Sequence, residues 1–115
     1  MKEGSGTARR TIRKRDFERI FKQGRSSSSG CIVVYKLRNH LPVYRLGFAV
    51  SRKVGKAVKR NRVRRLLREV CRLNPGWFIQ GYDYVVLGRV SAGEEKYQTI
   101  QKVIRQALKI PTGED

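Results

Sequence analysis

The sequence predicts an α+β fold: a small mixed sheet packed with three helices, in the order α-β-β-(β)-α-β-α. Three observations predict it. Val63, Leu66, Leu67, Val70 and Cys71 recur at i, i+3, i+4, i+7 and i+8, the spacing of one helix face. Cys31–Arg38 and Tyr44–Arg52 alternate instead with the period of two that belongs to strands. The 115 residues suit a single domain, and a hydrophobic content of 39% supplies a modest core and argues against full disorder.

Residues 1–14 carry Gly, Ser and Thr, then Arg9, Arg10, Arg13 and Lys14, and read as a basic flexible arm. Asp16–Gln23 reads as a short helix, with Phe17, Ile20 and Phe21 on one face, Asp16 in the first turn and Gly24 as a stop. Arg25–Gly30 holds four consecutive serines and reads as a flexible connector. In the strand Cys31–Arg38, Ile32 and Val34 face one way and Cys31, Val33, Tyr35 and Leu37 the other. Asn39–Pro42 has turn chemistry. In Tyr44–Arg52, Leu46, Phe48 and Val50 share a face. Gly47, Ala49 and Ser51 form a small, flat one, suited to close approach of a ligand backbone.

A helix follows from about Lys56 to Leu73, ended by Asn74-Pro75-Gly76. Trp77–Gly81 is a connector anchored by aromatic rings, and Tyr82–Val90 is another strand. Ser91 or Gly93 is the expected cap of a last helix, with Glu94 and Glu95 at its positive end. Its stripe is Tyr97, Ile100, Ile104, Ala107 and Leu108. Pro111 stops it and leaves 111–115 as a flexible tail.

Lys and Arg number 27 against 9 Asp and Glu, a formal net charge of +18. Self-repulsion of that size destabilises a small fold, and a large polyanion relieves it. No run approaches the roughly 18 apolar residues of a membrane span. The amino terminus has no apolar signal-peptide core. The expectation is a cytoplasmic protein with no membrane partner. Cys31 and Cys71 are far apart and outside any metal-ligand spacing, so they read as buried free thiols in a reducing compartment.

The charge concentrates on the central helix. At 100° per residue, Asn61, Arg64, Arg65, Arg68 and Arg72 lie opposite the apolar stripe, with Arg60 and Arg62 flanking it. Guanidinium matches phosphate oxygens in pairs and stacks on bases, so the favoured partner is nucleic acid. Solubility alone would be better served by mixed charges, and this helix has one acid, Glu69. Arg60 either contacts RNA or braces the fold. Asn61 either faces RNA or bonds to local backbone at the helix start. Arg52 and Lys53, after the flat strand face, and Lys56 are further candidate phosphate contacts.

The stretch RLGFAVSRKVGKAVKRNRVRRLLREVCR closely resembles the protein subunit of bacterial ribonuclease P. That family carries Arg-Asn-Arg on its central helix, here Arg60-Asn61-Arg62, after a strand ending here in Ser51-Arg52-Lys53. DFERIFKQG resembles the family's first helix, with Phe17 and Phe21 at its paired aromatic positions. IVVY resembles its first strand and places Tyr35; DYVVLGR resembles its last. The resemblance runs from about Arg9 to Leu108. Val90 departs from it, standing where Lys or Pro is more usual.

The resemblance implies a fold like domain two of a ribosomal small-subunit protein, with a left-handed βαβ crossover. It implies a protein that binds a large catalytic RNA, one protein per RNA, in a complex that removes the 5′ leader from precursor tRNA. The RNA performs the hydrolysis with Mg²⁺ that it binds itself. By the same analogy Arg60, Asn61, Arg62, Arg64, Arg65 and Arg68 meet the catalytic RNA, while Arg10, Arg13, Phe17, Phe21 and Tyr35 hold the leader. On spacing alone, Phe17 and Phe21 are core residues; a ring that packs on one side and stacks a base on the other satisfies both readings.

Catalytic chemistry within this chain is poorly supported. His40 is the single histidine and sits in a turn beside Pro42. No two carboxylates form an obvious acid/base pair, and no phosphate loop or zinc spacing is present. No catalytic or metal-binding residue is assigned. The competing function is a structural RNA-binding protein of ribosomal or nucleoid type with no role in cleavage. A membrane-active cationic helix is disfavoured, because strands and further helices surround the basic segment.

Overall fold

The computed structural model describes residues 10–109. The elements are β1 (Arg10–Thr11), α1 (Lys14–Gln23), β2 (Arg25–Ser29), β3 (Ile32–Arg38), β4 (Arg45–Val50), α2 (Ala57–Leu73), β5 (Tyr82–Gly88) and α3 (Tyr97–Ala107). Short 3₁₀ turns cover Arg52–Val54, Pro75–Trp77 and Val90–Glu94. The predicted α+β class holds, with a five-stranded sheet of order β1-β4-β5-β3-β2. β4 runs parallel to β5 and to β1, whereas β3 is antiparallel to β5 and β2. The long helix α2 is the crossover between the parallel neighbours β4 and β5.

Alternation along the strands gives each sheet face its own core. Ile32, Val34, Leu46, Tyr84 and Val86 pack with Val63, Leu67, Val70 and Cys71 of α2 and Ile100, Val103 and Ile104 of α3. The other face is covered by α1: Ile12, Ile20 and Val85 are buried together, with Phe17, Tyr35, Leu37 and Ala49 packed around them. The helical stripe read from the sequence is therefore the buried face of α2, with Leu66 at its margin.

One buried charge ties the sheet together. Asp83 is fully buried and accepts from Arg45 Nε at 2.8 Å, Arg45 Nη2 at 2.6 Å and Asn39 Nδ2 at 2.8 Å. Those bonds link β5 to β4 and to the turn after β3. They offset the cost of burying the carboxylate. Asn39 also accepts from Leu41 N at 2.8 Å, while His40 adopts φ 61°, as the turn chemistry of Asn39–Pro42 foretold.

Several expectations are corrected. Arg25–Gly30 is not a connector: Arg25–Ser29 form an edge strand paired with β3. A two-residue turn at Gly30 and Cys31 closes the hairpin, with Gly30 at φ +52°. Four serines hide the period of two because both faces of the strand are serine; Ser29 Oγ donates to Gln106 Oε1 at 2.7 Å from beneath α3. The arm reading also reached too far. Arg10–Thr11 pair with β4, Ile12 is buried, and α1 begins at Lys14 rather than Asp16. The arm over residues 1–9 and the tail over 111–115 lie outside the described residues.

The last helix is capped by neither Ser91 nor Gly93. It starts at Tyr97 after Lys96. Val90–Glu94 instead close a 3₁₀ turn whose Ala92 and Gly93 are buried, and Glu94 is drawn to Lys59 Nζ at 2.6 Å. The strand endings shift accordingly: Cys31 belongs to the hairpin turn, Arg52 to a 3₁₀ turn, and β5 ends at Gly88. The flat face at Gly47 does admit a close approach, but by Phe17. A Cβ on Gly47 would lie 2.7 Å from Phe17 Cε1.

Candidate nucleic-acid interface

Two surfaces gather the candidate residues. The first is the solvent side of α2. Val63, Leu67, Val70 and Cys71 pull one face of the helix into the core, which leaves Asn61, Arg62, Arg65 and Arg68 exposed on the other. Lys56 is exposed at the start of the helix, and Arg52 and Lys53 are exposed on the 3₁₀ turn before it. The hydroxyl of Ser51 accepts from Lys53 N at 3.2 Å and fixes that turn.

Within this array the arginines divide by their partners. Arg60 is partly buried and donates through Nη1 to Gly55 O at 2.7 Å. Arg62 donates to Gly93 O at 3.2 Å and Glu95 O at 3.3 Å, across to the loop before α3. Both arginines of the Arg-Asn-Arg signature are thus braces as well as surface cations. Asn61 does not bond to local backbone as one reading had it; its Oδ1 accepts from Arg64 Nη1 at 2.8 Å. Arg72 is engaged by Glu69 at 2.7 Å, and that hydrogen bond holds the Glu69 carboxyl below its usual range.

The second surface lies where α1 crosses the sheet. Phe17 and Phe21 stand edge to face at 6.0 Å, and Phe21 meets Tyr35 of β3 in the same manner at 4.8 Å. The three rings form one cluster, with Phe17 and Tyr35 partly exposed and Phe21 37% exposed. Helical spacing puts Phe17 and Phe21 on the face that also buries Ile20. The inward side of Phe17 is therefore core, resting on Gly47. The cations around this cluster include exposed Arg13, which precedes α1, and Arg19, whose Nη2 lies 3.9 Å from Asp83. Arg10, in β1, pairs through its backbone with Arg45 of β4. At the carboxyl ends of β4 and β5, an open hollow of about 640 Å³ is lined by Ser51, Lys53, Leu87, Arg89 and Val90.

Sequence reasoning left Phe48 and Arg89 outside the site. The Arg68 guanidinium stands 5.7 Å from the centre of the Phe48 ring, so β4 supplies an aromatic surface beside the arginine row. Cross-element pairs of this kind leave no local period in a sequence. Phe78 is buried and Trp77 partly so, as anchors of the connector. Cys31 and Cys71 are free and buried, and burial pushes the Cys71 thiol up to about 12. Among the described residues, no cluster of three or more His, Cys, Asp or Glu is placed to hold a metal ion. None of their helices is long and apolar enough to cross a membrane.

The sequence profile of the ribonuclease P family matches residues 7–111. The chain belongs to the ribonuclease P protein family. It is 45% identical over 97 residues to the ribonuclease P protein component of Pelotomaculum thermopropionicum, covering 84% of this chain and 87% of that one. The ribonuclease P protein of Thermotoga maritima superposes with a TM-score of 0.78 at 35% identity, over 90% of this chain and 98% of its own. That of Staphylococcus aureus gives 0.76 at 35% identity, over 90% and 94%. The ribonuclease P fold thus accounts for the placing of Arg60-Asn61-Arg62 on the crossover helix and of the aromatic cluster on the opposite sheet face.

Proposed function

We propose that this chain is the protein subunit of a ribonuclease P holoenzyme, one copy per catalytic RNA, acting in the cytoplasm on precursor tRNA. The observation that carries the proposal is the division of labour across the sheet. A row of cations on α2 lies on one side, and a cluster of three aromatic rings among further cations lies on the other.

In this reading Arg52, Lys53, Lys56, Asn61, Arg64, Arg65 and Arg68 meet the catalytic RNA, and Arg60 and Arg62 shape the surface that does so. The single-stranded leader passes over α1. Phe17, Phe21 and Tyr35 give its bases sequence-tolerant stacking, and Arg10 and Arg13 neutralise its phosphates. The protein holds substrate; hydrolysis belongs to the RNA and its bound Mg²⁺. Among the described residues, four carboxylates already have a cation or hydrogen-bond donor as partner. Asp83 is taken by Arg45 and Asn39, Glu69 by Arg72, Glu94 by Lys59 and Glu18 by Lys22.

The test is release of the 5′ leader from precursor tRNA by a bacterial catalytic RNA at limiting Mg²⁺, with and without the protein. Stimulation that needs both components supports the proposal. Tight, salt-sensitive RNA binding without stimulation moves the protein to a structural role. Cleavage by the protein alone overturns the assignment of chemistry to RNA.

A further inference from the structure

We infer that the trough between the β2 edge and the carboxyl-terminal ends of α2 and α3 is a second site for single-stranded RNA, separate from the arginine face of α2 and from the rings on α1. It consists of two adjoining hollows. One, of about 570 Å³, has Arg25, Lys36 and Lys109 as its cations, with Trp77, Ile79 and Tyr84 among its apolar walls. The other, of about 380 Å³, continues past Arg25 and Lys36 to Arg38 and Tyr82. Both lie within the size range of small-ligand sites. No carboxylate lines either.

The strand register makes this charge costly. Arg25 is directly opposite Lys36 across the β2–β3 pair, so two cations share one face of the sheet. Like charges so placed destabilise a sheet. Lys36 and Arg38 are two residues apart and therefore share that face as well. Local conflicts of this kind, without a compensating acid, are expected at functional or strained sites.

The pattern of the cations names the ligand. Lys36 Nζ lies 4.4 Å from the centre of the Tyr82 ring and 5.9 Å from that of Tyr84, and Arg38 Cζ lies 5.5 Å from Tyr82. Cations interleaved with rings match the alternation of phosphate and base along a single strand. The floor is fixed, because the Tyr84 hydroxyl accepts from Ile79 N at 3.0 Å. Ile79 itself is 54% exposed and, with Trp77, offers an apolar rim against which a base can lie. An acidic peptide would use the cations but not this spacing of rings.

The site can be read separately from the leader surface, because Trp77 is the chain's only tryptophan. The full chain is titrated with a pentauridylate oligonucleotide while Trp77 fluorescence is followed. The expected result is saturable, salt-sensitive quenching that survives Phe17→Ala. The triple variant Arg25→Gln/Lys36→Gln/Lys109→Gln should lose the quenching. If a weakened signal remains, its salt slope should fall by about 2, at roughly 0.7 per phosphate on a single strand. Arg25→Gln alone should melt no lower than the parent, since it relieves a like-charge pair, and should still bind the oligonucleotide more weakly at Trp77.

Four outcomes would overturn the inference. The first is quenching lost in Phe17→Ala but kept in the triple variant. The second is an unchanged Trp77 signal while anisotropy shows the oligonucleotide bound. The third is a response to hexaglutamate and none to pentauridylate. The fourth is a melting temperature lowered by Arg25→Gln, which would make that arginine part of the fold.

Discussion

The Phe17 ring fills the space that a side chain at Gly47 would need: a Cβ there would come within 2.7 Å of Cε1 and 2.8 Å of Cζ. Real contacts of that kind are not that short, so Gly47→Ala must move the ring. We expect it to cost about 1–3 kcal/mol of stability as an overpacked contact. In the holoenzyme it should weaken precursor tRNA binding more than mature tRNA binding. Thermal melts and paired affinity measurements check both effects, and equal loss for the two RNAs would separate Phe17 from the leader.

Phe21→Ala and Tyr35→Ala should each weaken binding of precursor tRNA by about 1–3 kcal/mol, the value of one stacked base. The dependence on salt should stay the same, because no phosphate contact is removed. Tyr35→Phe keeps the ring and should bind as the parent does. Affinities measured at several salt concentrations decide this; a changed slope for Phe21→Ala would count against stacking.

Arg60 and Arg65 should separate on stability. Arg60→Ala leaves the Gly55 carbonyl without its donor at 2.7 Å and should lower stability by about 1–2 kcal/mol. Arg65→Ala touches an exposed side chain and should leave the melting temperature unchanged. It should reduce the salt slope for RNA binding instead. Six to ten phosphates in all would make affinity fall about 10³–10⁵-fold between 50 and 200 mM salt.

Cys71 should resist thiol reagents at pH 8 in the folded chain, because burial holds its thiol near 12. The folded pKa is raised above the unfolded one, so its contribution is intact below the ordinary thiol range. It is lost as pH rises from about 9 toward about 12, where only the unfolded chain sheds the proton. Stability should therefore decline across that alkaline range, and Cys71→Ala should decline less steeply. Ellman titration and melts at stepped pH measure the two effects.

The elements with a strong period were legible in the sequence. α2 announced itself through Val63, Leu67, Val70 and Cys71, all buried, and β5 through its apolar run Tyr84–Leu87. β2 was not legible, because serines on both faces erase alternation and its pairing partner is set by the turn at Gly30 and Cys31. The start of α3 was misread because Ser91 and Gly93 carry cap chemistry but serve a 3₁₀ turn held by contacts with α2. The surface cations were legible as types. The assignment of Arg60 and Arg62 to carbonyls at Gly55, Gly93 and Glu95 was not, since it depends on where distant backbone ends up.

The unequal division of the core sets the order in which the molecule comes apart. α1 buries one residue, Ile20, whereas α2 and α3 bury four each. With about 1.5–3 kcal/mol for each fully buried aliphatic side chain, α1 is the most weakly moored of the three. It should be the element that detaches first in native-state fluctuations, and native-state hydrogen exchange should find its amides exchanging ahead of those in α2. The wall that carries Phe17 and Phe21 is thus a latch rather than a rigid rim. A strand of RNA lying across Phe21 and Tyr35 together would fasten it, and its arrival would register as slowed exchange along Lys14–Gln23.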